Sequence, residues 1–254
     1  MPRIIRILPD AGSQRGISLI VVMVMLLLGS ILVLGSTRTN WLNESLVSNE
    51  SDYQRAYVAA EALIADAETD IRGILPGGIP CNSSANFFGC RNRYGAGLPF
   101  IPESPVQDSE DLQAAIPNFA TLPCRQGICL ITAEDDLGAN WWNDDLVDMT
   151  ADTRTPNAIA ATYGEFTGAN VGTTGNPLLA ADADGNYSGW YWIEVMEFNV
   201  LSGAMGPPPV GNLPVPTVDR PYVYRITALA QGRKPGTRVV LRSVFVPDVY
   251  DPEV

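Results

Sequence analysis

The chain has 254 residues, enough for one sizeable core or for a smaller core plus a membrane segment. Its 16 Lys and Arg stand against 28 Asp and Glu, a formal net charge of −12, so most of the surface would repel a phosphate backbone and nucleic-acid binding is disfavoured. With no histidine and Lys234 as the single lysine, the commonest general base and metal ligand is missing, and the expectation is a protein that is neither an enzyme nor the carrier of a cofactor.

The first predicted element begins behind Arg3, Arg6 and Arg15, which only Asp10 opposes. From Ile17 to Gly35 the run ISLIVVMVMLLLGSILVLG carries no charge over 19 residues, enough to cross ~30 Å of hydrocarbon at ~1.5 Å rise per residue. The positive-inside rule keeps the basic leader in the cytoplasm and sends the chain beyond the run outward. An ordinary signal peptide would place a small-x-small cleavage site after this run. Instead the sequence passes through Ser36 and Thr37 into a polar helical stretch without a break.

In that stretch apolar or small residues recur at Leu42, Leu46, Tyr53, Tyr57, Ala60, Ile64, Ala67, Ile71 and Leu75, steps that keep one helix face. Glu44, Glu50, Asp52, Arg55, Glu61, Asp66, Glu68, Asp70 and Arg72 are assigned to the opposite, solvated face. No proline interrupts from Ile17 to Leu75, and Gly73, Pro76, Gly77 and Gly78 supply stop signals. The spacing predicts one helix from Ile17 to about Gly73, ~85 Å long. A plain signal anchor followed by a coiled-coil stalk is the alternative.

Residues 76–127 are rich in Gly, Pro, Ser and Asn and read as long loops. The cysteines fall into two close pairs, Cys81 with Cys90 and Cys124 with Cys129. An exported chain favours two local disulfides over four thiols, although four cysteines allow three pairings. A short strand is expected at Ile128 to Thr132 and a short helix near Asn157 to Phe166. The clearest strands come last, at Trp190 to Phe198, Tyr222 to Ala230 and Thr237 to Val246. In the second, Tyr222, Tyr224, Ile226 and Ala228 share a face, and in the third Val239, Leu241 and Phe245 do. The turn Gln231 to Gly236 makes the last two a hairpin, and a proline-rich run from Gly206 to Pro221 makes the longer crossing before them. The expected fold class is α+β, a long N-terminal helix packed on an antiparallel β-sheet with long disulfide-stapled loops.

Candidate sites are few. Asp182, Asp184 and Asn186 in ADADGNYSGW offer alternating oxygen ligands of the kind calcium takes, but Tyr187 stands where an EF-hand has glycine and Ile193 where it has glutamate. A polar turn is the favoured reading. The neighbouring acids Asp135 with Asp136 and Asp144 with Asp145 read as a solvated face. Trp141 with Trp142, and Trp190 with Trp192, offer an aromatic adhesive surface or ordinary packing.

The segment Gln14, Arg15, Gly16 immediately before the apolar run resembles the leader of type IV prepilins. That resemblance implies cleavage after Gly16 by a membrane peptidase, with Ile17 as a methylated mature terminus. The stretch TRTNWLNESLVSNESDYQRAYVAAEALIADAE, with its Ala56 to Leu63 segment, is similar to the opening of PilX-type minor pilins, and YRITA followed by a hairpin and TRVVLRSVF resembles their C-terminal end. About residues 76–185 lie outside this likeness. Counting from Ile17, the fifth mature residue is Val21, where most pilins carry a glutamate that pairs with a neighbour's terminal amine.

The resemblance implies a type IV pilin-like fold in four parts: 1–16 a leader, 17–35 the transmembrane part of the helix, 36–75 its amphipathic part, and 76–254 a periplasmic domain ending in a β-meander. It implies a minor pilin in pilus assembly, in a priming or tip complex. The expected partners are other minor pilins, the major pilin, the prepilin peptidase and the inner-membrane assembly platform. The expected location is the inner membrane and then the pilus, at or near the tip. The alternative role is a pilus-anchored adhesin or surface-contact protein.

Overall fold

The computed structural model describes residues 17–75, 79–80, 91, 112, 116, 124–130, 146–155, 158–169, 176–197, 216 and 221–247. Helix α1 runs from Ile17 to Arg72, as the unbroken apolar and then amphipathic pattern predicts. It stops at Gly73, whose φ of 62° lies in the left-handed region and whose N–H donates to the Asp70 carbonyl at 3.1 Å. A side chain at that φ would be strained, so glycine ends the helix cheaply.

The chain divides into two compact units, residues 1–50 and 51–254. In the first, the described side chains from Ser18 onward are exposed except Ser45, which is partly covered. In and just beyond the apolar run, helix carbonyls take up polar side chains: the Ser30 hydroxyl donates to the Leu27 carbonyl at 2.8 Å, and the Thr37 hydroxyl to those of Val33 and Leu34 at 2.9 and 3.0 Å. Such internal bonds suit lipid, where hydrocarbon tails accept no hydrogen bond.

In the second unit the helix buries Asp52, Ala56, Ala59, Ala60, Leu63, Asp66, Ala67, Asp70 and Ile71. This stripe differs from the expected one. Tyr53 is exposed and Tyr57 and Ile64 are only partly covered, while three acids assigned to the solvated face are inside. The reason is steric and electrostatic together. Alanines at 56, 59, 60 and 67 let the helix backbone approach the sheet more closely than tyrosines would, and each buried acid meets hydrogen-bond donors there.

A short ribbon pairs β1 (Ile74–Leu75) with β2 (Ile79–Pro80). The main sheet contains β3 (Cys124–Arg125), β4 (Ile128–Cys129), β6 (Gly189–Glu197), β7 (Tyr222–Gln231) and β8 (Arg238–Phe245) in the order β3-β4-β6-β7-β8, with β5 (Ala161–Thr162) also pairing β6. β6, β7 and β8 form the expected antiparallel run, registered Ile193↔Ile226 and Ile226↔Ser243. β4, however, runs parallel to β6, Ile128 opposite Ile193, so the sheet is mixed rather than wholly antiparallel. The β3–β4 hairpin enters from the side, and the Ile193 N–H bonds the carbonyl of its turn residue Gly127 at 2.6 Å.

The helix expected near 157–166 is not formed in its described residues. Ala161 and Thr162 are a strand against β6, and Glu165 caps the following turn by accepting from the Thr162 N–H at 2.9 Å. The sheet edge offered those backbone groups better partners than an isolated short helix could. A short helix α2 occupies Leu146–Met149 instead.

β6 is covered on both faces, which explains its almost continuous apolar sequence. Tyr191, Ile193 and Val195 join the α1 stripe, Tyr222, Tyr224, Ile226, Ala228 and Val239 in one core cluster. Trp190 and Trp192 belong to a second cluster with Cys124, Cys129, Met149 and Leu229.

Candidate functional site

The three buried acids of α1 each hold a different part of the second unit. Asp52 accepts the backbone N–H groups of Arg233 and Lys234 at 2.9 and 3.0 Å, gripping the tip of the β7–β8 hairpin. Burial alone would raise its pKa, but these two donors, with the Thr237 hydroxyl and the Lys234 charge, outweigh it and hold the carboxyl below its usual value.

A run of alternating four and three residue steps brings Asp66 to the loop after β5. It accepts the Gly164 N–H at 2.8 Å and the Thr167 hydroxyl. Burial dominates here and pushes the carboxyl up to about 6, with Thr167 and Gly164 opposing.

Asp70 is held by a cation. The Arg91 Nε donates to both of its oxygens at 3.0 and 2.8 Å, and the Tyr191 hydroxyl donates to Oδ2 at 3.1 Å. The paired side chains of Arg91 and Asp70 are 2 % and 1 % exposed. Arg91 also reaches the Gln126 carbonyl of the β3–β4 turn and stacks 3.5 Å over the Phe166 ring. One guanidinium thus ties helix, hairpin and loop through charge-assisted bonds and a ring face. Burial raises the Asp70 pKa against the pull of Arg91, and raises that of Tyr191 far above its ordinary value.

With their oxygens committed to these donors, the acids serve as anchors for the helix. Among the described residues no group of three or more His, Cys, Asp or Glu is placed to hold a metal. In the calcium candidate, the Asp182 carboxylate accepts the N–H groups of Asp184 and Asn186 at 2.9 and 2.8 Å and the Asn186 amide at 3.2 Å, inside its own exposed turn. Asp184 and Asn186 thus serve that turn.

Cys124 and Cys129 form a disulfide across the first pair of the β3–β4 hairpin. Cys81 and Cys90 lie outside the described residues, as do Gly16, Trp141, Trp142 and the acid pairs at 135–136 and 144–145. Trp190 and Trp192 are packed inside rather than displayed, so they form no adhesive face.

The other functional element is the exposed half of α1. It is long and apolar enough to cross a membrane, and the apolar window is wholly uncovered. Leu26, Leu28, Leu32 and Leu34 are among its exposed side chains, and Val21 is 49 % exposed. An uncovered apolar surface of this size requires lipid or other helices around it.

A family model described as PilX N-terminal matches residues 15–65, and one described as type IV pilus assembly protein PilX C-term matches residues 123–247. Together they take in well over half of the chain, including the apolar helix and every strand from β3 to β8. The chain belongs to the PilX family. No curated protein and no solved structure matches it.

The PilX match reaches further into the middle than the sequence likeness, since residues 123–185 fall inside it. Membership makes the chain a minor pilin related to type IV pilus assembly, working with other pilins in that machinery. The exposed helix is then the membrane anchor and the pilus-associating element.

Proposed function

We propose that the chain is cleaved after Gly16, leaving Ile17 as a methylated mature terminus, and that it primes pilus assembly from a position at or near the filament tip. Prepilin peptidase would make the cut on the cytoplasmic side. The remaining protein would cross the inner membrane once through 17–35, continue as the amphipathic helix 36–75 and hold 76–254 in the periplasm. It would then join other minor pilins, the major pilin and the inner-membrane assembly platform as a structural, non-catalytic subunit.

The observation that carries the tip reading is Val21. It sits on the uncovered part of α1, five residues into the proposed mature chain, and offers a methyl surface where most pilins offer a carboxylate. A subunit lacking that carboxylate forgoes an ion pair whose worth rises as the helix bundle excludes water. Such a subunit suits a place with no subunit ahead of it.

The test is to replace Val21→Glu and to label the wild-type protein on intact filaments. The reading expects label at filament ends and reduced piliation in the variant. Wild-type label spread evenly along shafts contradicts it.

A further inference from the structure

A groove of about 670 Å³ lies within residues 51–254. Arg55 and Val58 of α1 form one wall, Asn176, Pro177 and Leu178 a second, and Arg233 of the β7–β8 hairpin the rim. The walls are fixed to one another. The Asn176 amide donates to the Arg55 carbonyl at 3.2 Å while its Oδ1 accepts the Leu178 N–H at 3.0 Å, and Asp52 holds the Arg233 backbone.

The charge of the groove is opposite to that of the chain. The whole protein carries a net −12, yet the lining has two arginines and no acid. Neither guanidinium is in an ion pair with a described residue. Val58 is 52 % exposed, so the groove offers an apolar seat beside two cations.

A surface of the opposite kind stands on the short helix α2. Its Val147 is 78 % exposed, more than any described large apolar side chain of the run that begins at Ile17. Asp148 follows it directly and Asp152 lies just beyond the helix, both exposed and neither in an ion pair with a described residue. From Asp144 to Asp152 the sequence holds acids but no Lys or Arg. The helix is tethered from its other side, where Met149 is fully buried.

Knob and groove belong to opposite sides of the sheet. Met149 packs in the cluster of Trp190 and Trp192, whereas Leu178 packs in that of Tyr191 and Ile193. Alternate residues of β6 point to opposite faces, so one chain cannot bring its own Val147 to its own Val58. The contact has to be made between chains.

We infer that the groove receives α2 of a second copy of this chain, Val147 seating on Val58 with Asp148 and Asp152 facing Arg55 and Arg233. Apolar contact supplies the attraction, and the charges fix register and exclude partners with basic residues there. Because knob and groove are different surfaces, the association is head-to-tail, and a pair keeps one knob and one groove open for further copies. This holds whether or not the subunit sits at the filament tip.

The experiment uses two differently tagged full-length copies co-expressed and held in detergent micelles, one carrying Val147→Cys and the other Val58→Cys. A disulfide-linked heterodimer is expected under mild oxidation. Adding Arg55→Glu and Arg233→Glu to the Val58→Cys copy should reduce the linked product by about tenfold, since two attractive pairs become repulsive. Adding Asp148→Arg and Asp152→Arg to the Val147→Cys copy should then restore it, which also shows that both reversed copies are folded. No linked product, a yield indifferent to charge reversal, or failure of the double reversal to restore the link in copies that keep wild-type tryptophan fluorescence overturns the inference.

Discussion

Tyr191 and Asp70 stand 121 residues apart in sequence, yet the Tyr191 hydroxyl donates to Asp70 Oδ2 across 3.1 Å inside the core. With Arg91 on the same carboxylate, this contact fastens the end of α1 to the central strand β6. For a filament subunit the consequence is mechanical. Force applied to the helix reaches the sheet through buried charge-assisted bonds as well as through apolar packing.

Removing one member of that trio should be costly. Arg91→Met leaves Asp70 buried without its cation and is expected to lower the stability of the full-length protein by about 3–5 kcal/mol. Tyr191→Phe removes one donor and is expected to cost about 1 kcal/mol. Denaturant unfolding in micelles, followed by the fluorescence of the buried Trp190 and Trp192, measures both. Equal effects would show that Arg91 does not act through Asp70.

Asp66 sets a pH dependence of definite sign. Its carboxyl is raised from 3.8 to about 6, by burial first, so the folded state takes up its proton before the unfolded state does. The stabilisation from this group is fully present below about 3.8 and is lost as pH rises through 6. Wild-type protein should therefore gain stability between pH 7 and 5 by more than Asp66→Asn, which keeps an acceptor for Gly164 but does not titrate. Asp52 has the opposite sign, and its contribution is lost only below its ordinary value as pH falls. Thermal melts across pH 5 to 7.5 decide the matter, and parallel curves for the two proteins would count against Asp66.

The β3–β4 turn gives a steric prediction. Gly127 has a φ of 81°, and a Cβ added there would lie 2.5 Å from Ala161 Cβ. Gly127→Ala adds backbone strain to a clash with β5, and about 2 kcal/mol or more of destabilisation is expected. Limited proteolysis should find the hairpin and the β5 loop opened together.

The neighbouring disulfide acts on the unfolded chain. Replacing Cys124 and Cys129 by Ser frees a short loop and is expected to cost about 2 kcal/mol. β6, β7 and β8 are registered independently of that bridge, so their amide protection should survive the change. Loss of protection throughout the sheet would show that the hairpin nucleates it.

The parts legible in the sequence were those with long, one-dimensional signals. The uncharged run from Ile17 and the absence of proline gave α1, and alternation gave β6, β7 and β8 to within a residue or two. What stayed hidden depends on contacts made at a distance. Asp52, Asp66 and Asp70 were read as solvated because they are charged, although they share the four and three residue spacing of Ala56, Ala59 and Leu63. That shared spacing is the signal that could have placed them inside. Arg91 sits in sequence without periodicity, and nothing local announces that it meets Asp70. The parallel pairing of β4 with β6 was hidden too, because two-residue strands carry no direction in their composition. The short helix expected near Asn157 to Phe166 gives way to a strand and a turn, where Gly164 at φ 68° and the edge of β6 decide the backbone.

The central claim is that the uncovered helix is a pilin helix released from its leader at Gly16. The most direct test is the mass of the N-terminal peptide from filaments sheared off the cell surface. A chain that begins at Ile17 with a methylated terminal amine is the expected result. A chain that begins at Met1, or one cut beyond Gly35, would contradict it.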